Sequence, residues 1–286
     1  MTTFSTPGPV LIALDLGSGD VRITAGDRAD TVVEVRPRDP SSDEDVAAAG
    51  RTRVDLADGR LSITTAKGPL RLPWKVGHEA VDVDVAVPAG SRLDGAAKAS
   101  GLTTSGRLGE VRFTTGYGDV RLDETGPVRA RSGAGDVAVE HAAGPAEVST
   151  GTGAIAIGTV EGAVTVKNSN GDTRIGDAGG DVAVKAANGR ITIGRARAGV
   201  VARSANGDIA IGAVERGSVA VTTAAGSIDV AVADGVPAWL DLSTGYGTVR
   251  NDLDDAERPG DGEETVEVRA RTGAGDVTAR RAVAVM

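Results

Sequence analysis

One phrase recurs in the middle of the chain at a fixed distance, and it limits the available folds more than any other feature. It reads Asn168-Ser169-Asn170-Gly171-Asp172-Thr173-Arg174-Ile175, then Ala186-Ala187-Asn188-Gly189-Arg190-Ile191-Thr192-Ile193, then Ser204-Ala205-Asn206-Gly207-Asp208-Ile209-Ala210-Ile211. Glycines 171, 189 and 207 stand 18 residues apart. A period this short and constant marks a solenoid, in which each repeat covers the core of the next.

The series extends in both directions. Related glycines occur at 118, 135, 153 and 226. A second, weaker phrase alternates with it, as in Gly162-Ala163-Val164-Thr165-Val166 and Gly180-Asp181-Val182-Ala183-Val184. Each repeat therefore holds two strands and two turns. A meander of hairpins is the rival, since Asn-Gly turns favour hairpins locally. A meander needs no alternation of two turn types, however. Here only every second turn has the Asn/Ala-x-Gly form, and the others place Gly158, Gly176, Gly194 and Gly212 after a strand. The expected fold is all-β: a β-solenoid (β-helix) of about 18 residues and two main strands per coil, with irregular β ends as caps. Residues 1–95 read as a divergent β segment or cap. Residues 96–286 read as the regular solenoid with its C-terminal cap, the whole forming one continuous domain.

Composition agrees with a narrow coil. Aromatic residues are 2% of the chain, while the 40% hydrophobic content is mostly Val, Ala, Leu and Ile. A broad globular core would use more large rings; an interior one side chain deep is filled by Val and Ile. The net charge of −9 and pI near 4.9 disfavour nucleic acid as a partner, because phosphate binding needs a basic face. The absence of cysteine excludes disulfides, thiolate catalysis and Cys-based metal sites. No leader and no apolar run of about 20 residues is visible. The expectation is a cytoplasmic protein without membrane insertion, with the cell surface as the alternative.

The flanks are less regular. Residues 1–9 read as a loose tail, and 38–50 as a polar connection with room for one helical turn. Arg53 to Thr65 reads as a hairpin across Asp58-Gly59. Residues 67–79, with Trp74 and His78, and the acidic 251–264 read as exposed loops.

Stacked coils would turn equivalent residues into ladders about 4.8 Å apart. Ile175, Ile193 and Ile211 belong to an inward ladder, and Asn170, Asn188 and Asn206 to an amide ladder at one corner. Asp172, Arg190 and Asp208 alternate in sign outside. Asp119 and Asp136 place two carboxylates on neighbouring coils; the plain reading is a solvated pair near Arg121, and the sharper one a cation site. Lys167, Lys185 and Arg203 form a basic stripe, ordinarily a solvated face but also a candidate for an anionic polymer. Trp74 is a candidate sugar contact. Tyr117 and Tyr246, each in a Gly-Tyr-Gly turn, read as corner decorations. No catalytic constellation appears: His78 and His141 lie in unrelated segments, and no nucleophile elbow or phosphate loop is present. No cofactor is implied.

The segment Val83-Asp84-Val85-Ala86-Val87-Pro88-Ala89-Gly90, together with the recurring Gly-Asp-Val/Ile-x-Ile phrase, resembles the bacterial putative-adhesin family of β-strand-repeat proteins over roughly residues 80–280. The resemblance implies a non-catalytic β-solenoid and carries over no catalytic residue. The functional expectation is a non-enzymatic binding or scaffold protein that acts through its repeat faces on a protein or glycan partner and self-associates end to end. A surface-displayed adhesin is the alternative, and a carbohydrate-active β-helix enzyme the second.

Overall fold

Neighbouring strands from successive repeats run parallel, with residue i beside residue i+18. Val164–Asn170 lies against Val182–Asn188, which lies against Val200–Asn206. On the other side of the same coils Thr173–Ala178, Ile191–Ala196 and Ile209–Val214 stack likewise. This is the β-solenoid, and it excludes the antiparallel meander. The computed structural model describes residues 1–66, 79–253 and 265–282. It divides into two compact units, Met1–Val139 and Glu140–Met286.

The corner glycine shows why the period is so strict. Gly171 and Gly189 have φ of 134° and 124°. A Cβ at either would stand 2.1–2.2 Å from the carbonyl oxygen of the corner one coil earlier. Only glycine allows both the backbone conformation and the approach. From each corner, β-branched residues alternate inward. Ile155, Thr173, Ile191, Ile209 and Ile228 form one buried ladder of the second unit, and Ile157, Ile175, Ile193, Ile211 and Val230 another, none more than 2% exposed. Each buried Val or Ile contributes roughly 1.5–3 kcal/mol, which offsets only part of a coil's ordering entropy. Coils therefore hold one another up.

An inward hydroxyl row lies under the corners. Thr223 Oγ1 donates to the Gly207 carbonyl at 3.1 Å, and Thr272 Oγ1 to that of Gly226 at 2.8 Å. Asn168 does the same work with its amide, donating to Gly171 O at 2.9 Å. Each bond satisfies a corner carbonyl that the strand ladders leave unpaired.

Spatial order departs from chain order near the end of the second unit. Gly217–Ala225 pairs with Val266–Ala274, which in turn pairs with Ala238–Tyr246. The last coil of the chain is thus tucked inside, and the coil of residues 238–252 lies outermost. Arg280 fixes the tucked coil with a bidentate bond to Asp229 at 3.0 Å. Arg281 Nη1 ties the crossover by donating to Val236 O at 2.8 Å.

The first unit begins with a similar inversion. The long strand Leu11–Gly26 runs parallel between Arg92–Ser105 on one side and, on the other, Arg60–Thr65 followed by Val81–Pro88. Antiparallel strands then cover this outer coil: Thr52–Ala57 on Arg60–Thr65, and Asp30–Pro37 on Val81–Pro88. The hairpin turn sits at Asp58-Gly59, both at positive φ. Two expectations need correction. The supposed tail contains the strand Thr2–Ser5, antiparallel to Asp30–Pro37 and held by its backbone bonds. The connection at 38–50 leads into a nine-residue helix, Asp43–Arg51, capped by Ser42. Its buried Asp45 accepts from the Asp39 and Ala80 amides at 3.0 and 2.9 Å, which joins the helix to the sheet.

Candidate functional site

The corners carry two polar ladders with different jobs. Asn188 Nδ2 donates to Asn170 Oδ1 at 2.8 Å, and Asn206 Nδ2 to Asn188 Oδ1 at 3.0 Å. These exposed amides lie in register and use each other as partners. The acidic residue after the corner glycine reaches along the stack instead. Asp172 Oδ1 accepts from the Arg190 amide and Asp208 Oδ1 from the Ser227 amide, at 2.9 and 3.0 Å. Turn preference explains aspartate at this position only in part: its carboxylate caps the next coil. Arg190 Nη2 also meets Asp208 at 3.0 Å, the contact between oppositely charged neighbours in that ladder.

Asp119 follows the same rule. Its Oδ1 accepts from the Asp136 backbone amide at 2.9 Å, and its Oδ2 from Arg121 Nη2 at 2.9 Å. The Asp136 N–H, and then Arg121, hold the Asp119 carboxyl below its ordinary range. Each Asp119 oxygen thus already accepts from one protein donor. His141 lies 3.6 Å from Glu161 through Nε2. No group of three or more His, Cys, Asp or Glu side chains with metal-binding geometry occurs among the described residues. Trp74 and His78 lie outside the described residues.

Lys167, Lys185 and Arg203 form a straight row. Lys167 is directly beside Lys185, and Lys185 beside Arg203, on three adjacent parallel strands. All three are exposed, and none has an acidic partner among the described residues. The coil before continues the row with Ser149 and the coil after with Thr222. The neighbouring outward row is Thr165, Ala183, Val201 and Ala220. Small side chains thus flank the cations on this side, with Val201 42% exposed beside them. Like charges opposite one another cost stability, so this row is not an optimum for folding. Its period made it legible in the sequence. Of the exposed aromatics of the outer coil, Tyr246 at 83% is singled out by its Gly-Tyr-Gly turn, while nothing in the sequence singles out Trp239 at 71%.

No helix among the described residues is long and apolar enough to cross a membrane. The family model described as "Toastrack DUF4097" matches residues 11–281. No curated protein matches the chain. Among solved structures, a "putative lipid binding protein" from Parabacteroides distasonis is similar at 11% identity, with 97% of this chain and 95% of that one covered and a TM-score of 0.40. A "putative adhesin" from Parabacteroides merdae is similar at 11% identity, 97% and 94% coverage and a TM-score of 0.39. A "putative cell adhesion protein" from Clostridium sporogenes follows at 10% identity, 98% coverage of both chains and a TM-score of 0.24.

Proposed function

The chain belongs to the Toastrack DUF4097 family, and we propose that within this fold it is a non-catalytic binding module that holds an anionic polysaccharide along the Lys167–Lys185–Arg203 row. The observation that carries the reading is the row itself: three cations in register, none with an acidic partner among the described residues, on an outward face of a protein whose net charge is −9. Their spacing of about 4.8 Å suits a linear polymer with an anion on every sugar, laid along the stacking direction. Adjacent charges of the row lie within one Debye length, about 8 Å at physiological salt, so neighbouring cations attract such a polymer jointly. The small flanking residues let it approach the sheet.

The test uses polygalacturonate, with neutral dextran as control, and compares the protein with the triple variant Lys167→Ser, Lys185→Ser, Arg203→Ser. The expected result is salt-sensitive binding of polygalacturonate alone, lost in the variant. Equal binding by the variant, or equal binding of dextran, overturns the reading.

Self-association is a second reading, supported by the outer coil of residues 238–252. No strand lies beyond its edge among the described residues, and such edges invite pairing. Sizing over a wide concentration range tests it, and a strict monomer throughout removes it. Cell fractionation decides between a cytosolic module and a surface-displayed adhesin.

A further inference from the structure

The outer surface of the first unit has a gap where one coil carries a glycine and a short threonine in rows that hold aspartate and arginine on the coils beside it. In one coil Asp20 is followed two residues on by Arg22, and in another Asp119 by Arg121. The coil between them has Gly101 and Thr103 at these places. Asp20 lies beside Gly101, Arg22 beside Thr103, and Thr103 beside Arg121. Asp20 and Arg22 on one side, and Asp119 and Arg121 on the other, therefore stand on the two coils that flank this one, with their backbones about 9–10 Å apart. The result is a cavity of about 460 Å³ lined by Asp20, Arg22, Gly101, Thr103, Asp119 and Arg121, among others. The glycine contributes to the gap: a Cβ at 101 would stand 2.9 Å from Asp20 Oδ1, so a larger residue there would push that carboxylate aside.

The lining selects against simple ions. An anion drawn to Arg22 and Arg121 meets Asp20 and Asp119, and a cation meets the reverse. Asp119 is already bound to the Asp136 amide and to Arg121, and Asp20 is paired with Arg38. Donors remain nonetheless. Arg22 has its Asp84 contact only at 3.6 Å, and the side chains of Arg22 and Arg121 are 56% and 58% exposed. A neutral ligand with several hydroxyls uses both rows at once. Its O–H groups donate to the carboxylates, while its oxygens accept from the guanidiniums and from Thr103. Hydrogen bonds to charged groups are the stronger kind. We infer that this notch binds a neutral saccharide presenting vicinal hydroxyls. The site is independent of the cationic row of the second unit.

The test is a titration of the ¹⁵N-labelled full chain with glucose, galactose, mannose and their disaccharides, reading the amides of Gly101, Thr103 and Gly118. At least one sugar should shift these amides saturably. Thr103→Arg restores the side chain found on both neighbouring coils and should abolish the shift while the rest of the spectrum persists. Arg121→Gln removes one charged donor and should weaken binding about tenfold. The triple variant Lys167→Ser, Lys185→Ser, Arg203→Ser should leave it unchanged, which separates this site from the polyanion row. Sugars that leave these amides unmoved, or a shift that survives Thr103→Arg, would overturn the inference. So would a response to phosphate or glutamate without one to sugars.

Discussion

At the start of the first unit the outermost coil, Arg60–Thr65 with Val81–Pro88, lies under antiparallel strands, and a helix is joined to the same sheet. At the end of the second unit the outermost coil, Ala238–Tyr246 with Val249–Asp252, has no strand over it among the described residues. The consequences show in burial. Leu61 and Ile63 are fully buried, and Val83 and Val85 are at 1–2%. Leu240 and Leu242, which continue the buried ladder of Val268 and Ala270, are half-buried, and Val249 is 44% exposed. A reversal of strand direction thus closes one terminal edge and blocks further parallel stacking. Continued parallel direction leaves the other edge open. Solenoids need closed ends to stay solitary, and the proposal of self-association through residues 238–252 rests on this difference.

The comparison can be broken by substitution at matched depth. Ile63→Ala should cost about 2–5 kcal/mol, because it opens a cavity under a fixed cap. Leu242→Ala should cost well under half of that, since its site is already wet. Equal losses in chemical denaturation would contradict the asymmetry. The corner glycines give a second, smaller contrast. A Cβ at Gly19 would meet the Val81 carbonyl oxygen at 1.9 Å, and one at Gly247 would meet that of Gly275 at 2.1 Å. Gly19→Ala should destabilise by roughly 1–3 kcal/mol from backbone strain alone. Gly247→Ala should cost less, because the uncovered coil can swing away; a larger cost there would mean that the coil is held by something beyond it.

The inward hydroxyls sharpen the picture further. Thr272 and Thr244 each donate to a corner carbonyl at 2.8 Å, but Thr272 is 6% exposed and Thr244 is half-buried. Thr272→Val should cost about 1 kcal/mol, and Thr244→Val a few tenths. The smallest effect comes from acid. The Ser227 amide, and then Arg190, hold the Asp208 carboxyl below its ordinary range. A depressed carboxyl contributes stability above its unfolded pKa, near 4, and loses it as pH falls through the folded value. The gap between wild type and Asp208→Ala should therefore be constant from neutral pH to about pH 5 and shrink below about pH 4. A gap that grows on acidification would reverse the assigned sign.

The regular coils were legible because one local period encodes everything about them. Ile175, Ile193 and Ile211 share a ladder for the same reason that Lys167, Lys185 and Arg203 share a row. What the sequence hid depends on partners far apart in the chain. Nothing near Val266 says that its coil slips between Gly217–Ala225 and Ala238–Tyr246. Nothing near Thr2 reveals a strand, because its bonds come from Asp30–Pro37. The notch of the first unit needs Asp20 beside Gly101, a pairing across 81 residues that no spacing announces. Aspartate after glycine looked like turn chemistry because the amide it caps belongs to the following coil.

The register of the cationic row is open to direct measurement, since the chain has no cysteine. Adjacent parallel strands bring matched Cα atoms to about 4.8 Å, inside the range a disulfide bridges, while positions two coils apart lie near 9–10 Å and outside it. The double variant Lys167→Cys, Lys185→Cys should therefore oxidise readily to an intramolecular disulfide, and Lys167→Cys, Arg203→Cys should remain reduced under the same conditions. If the first pair stays reduced, or the second closes as readily, the coils are not stacked in this register and the binding row does not exist.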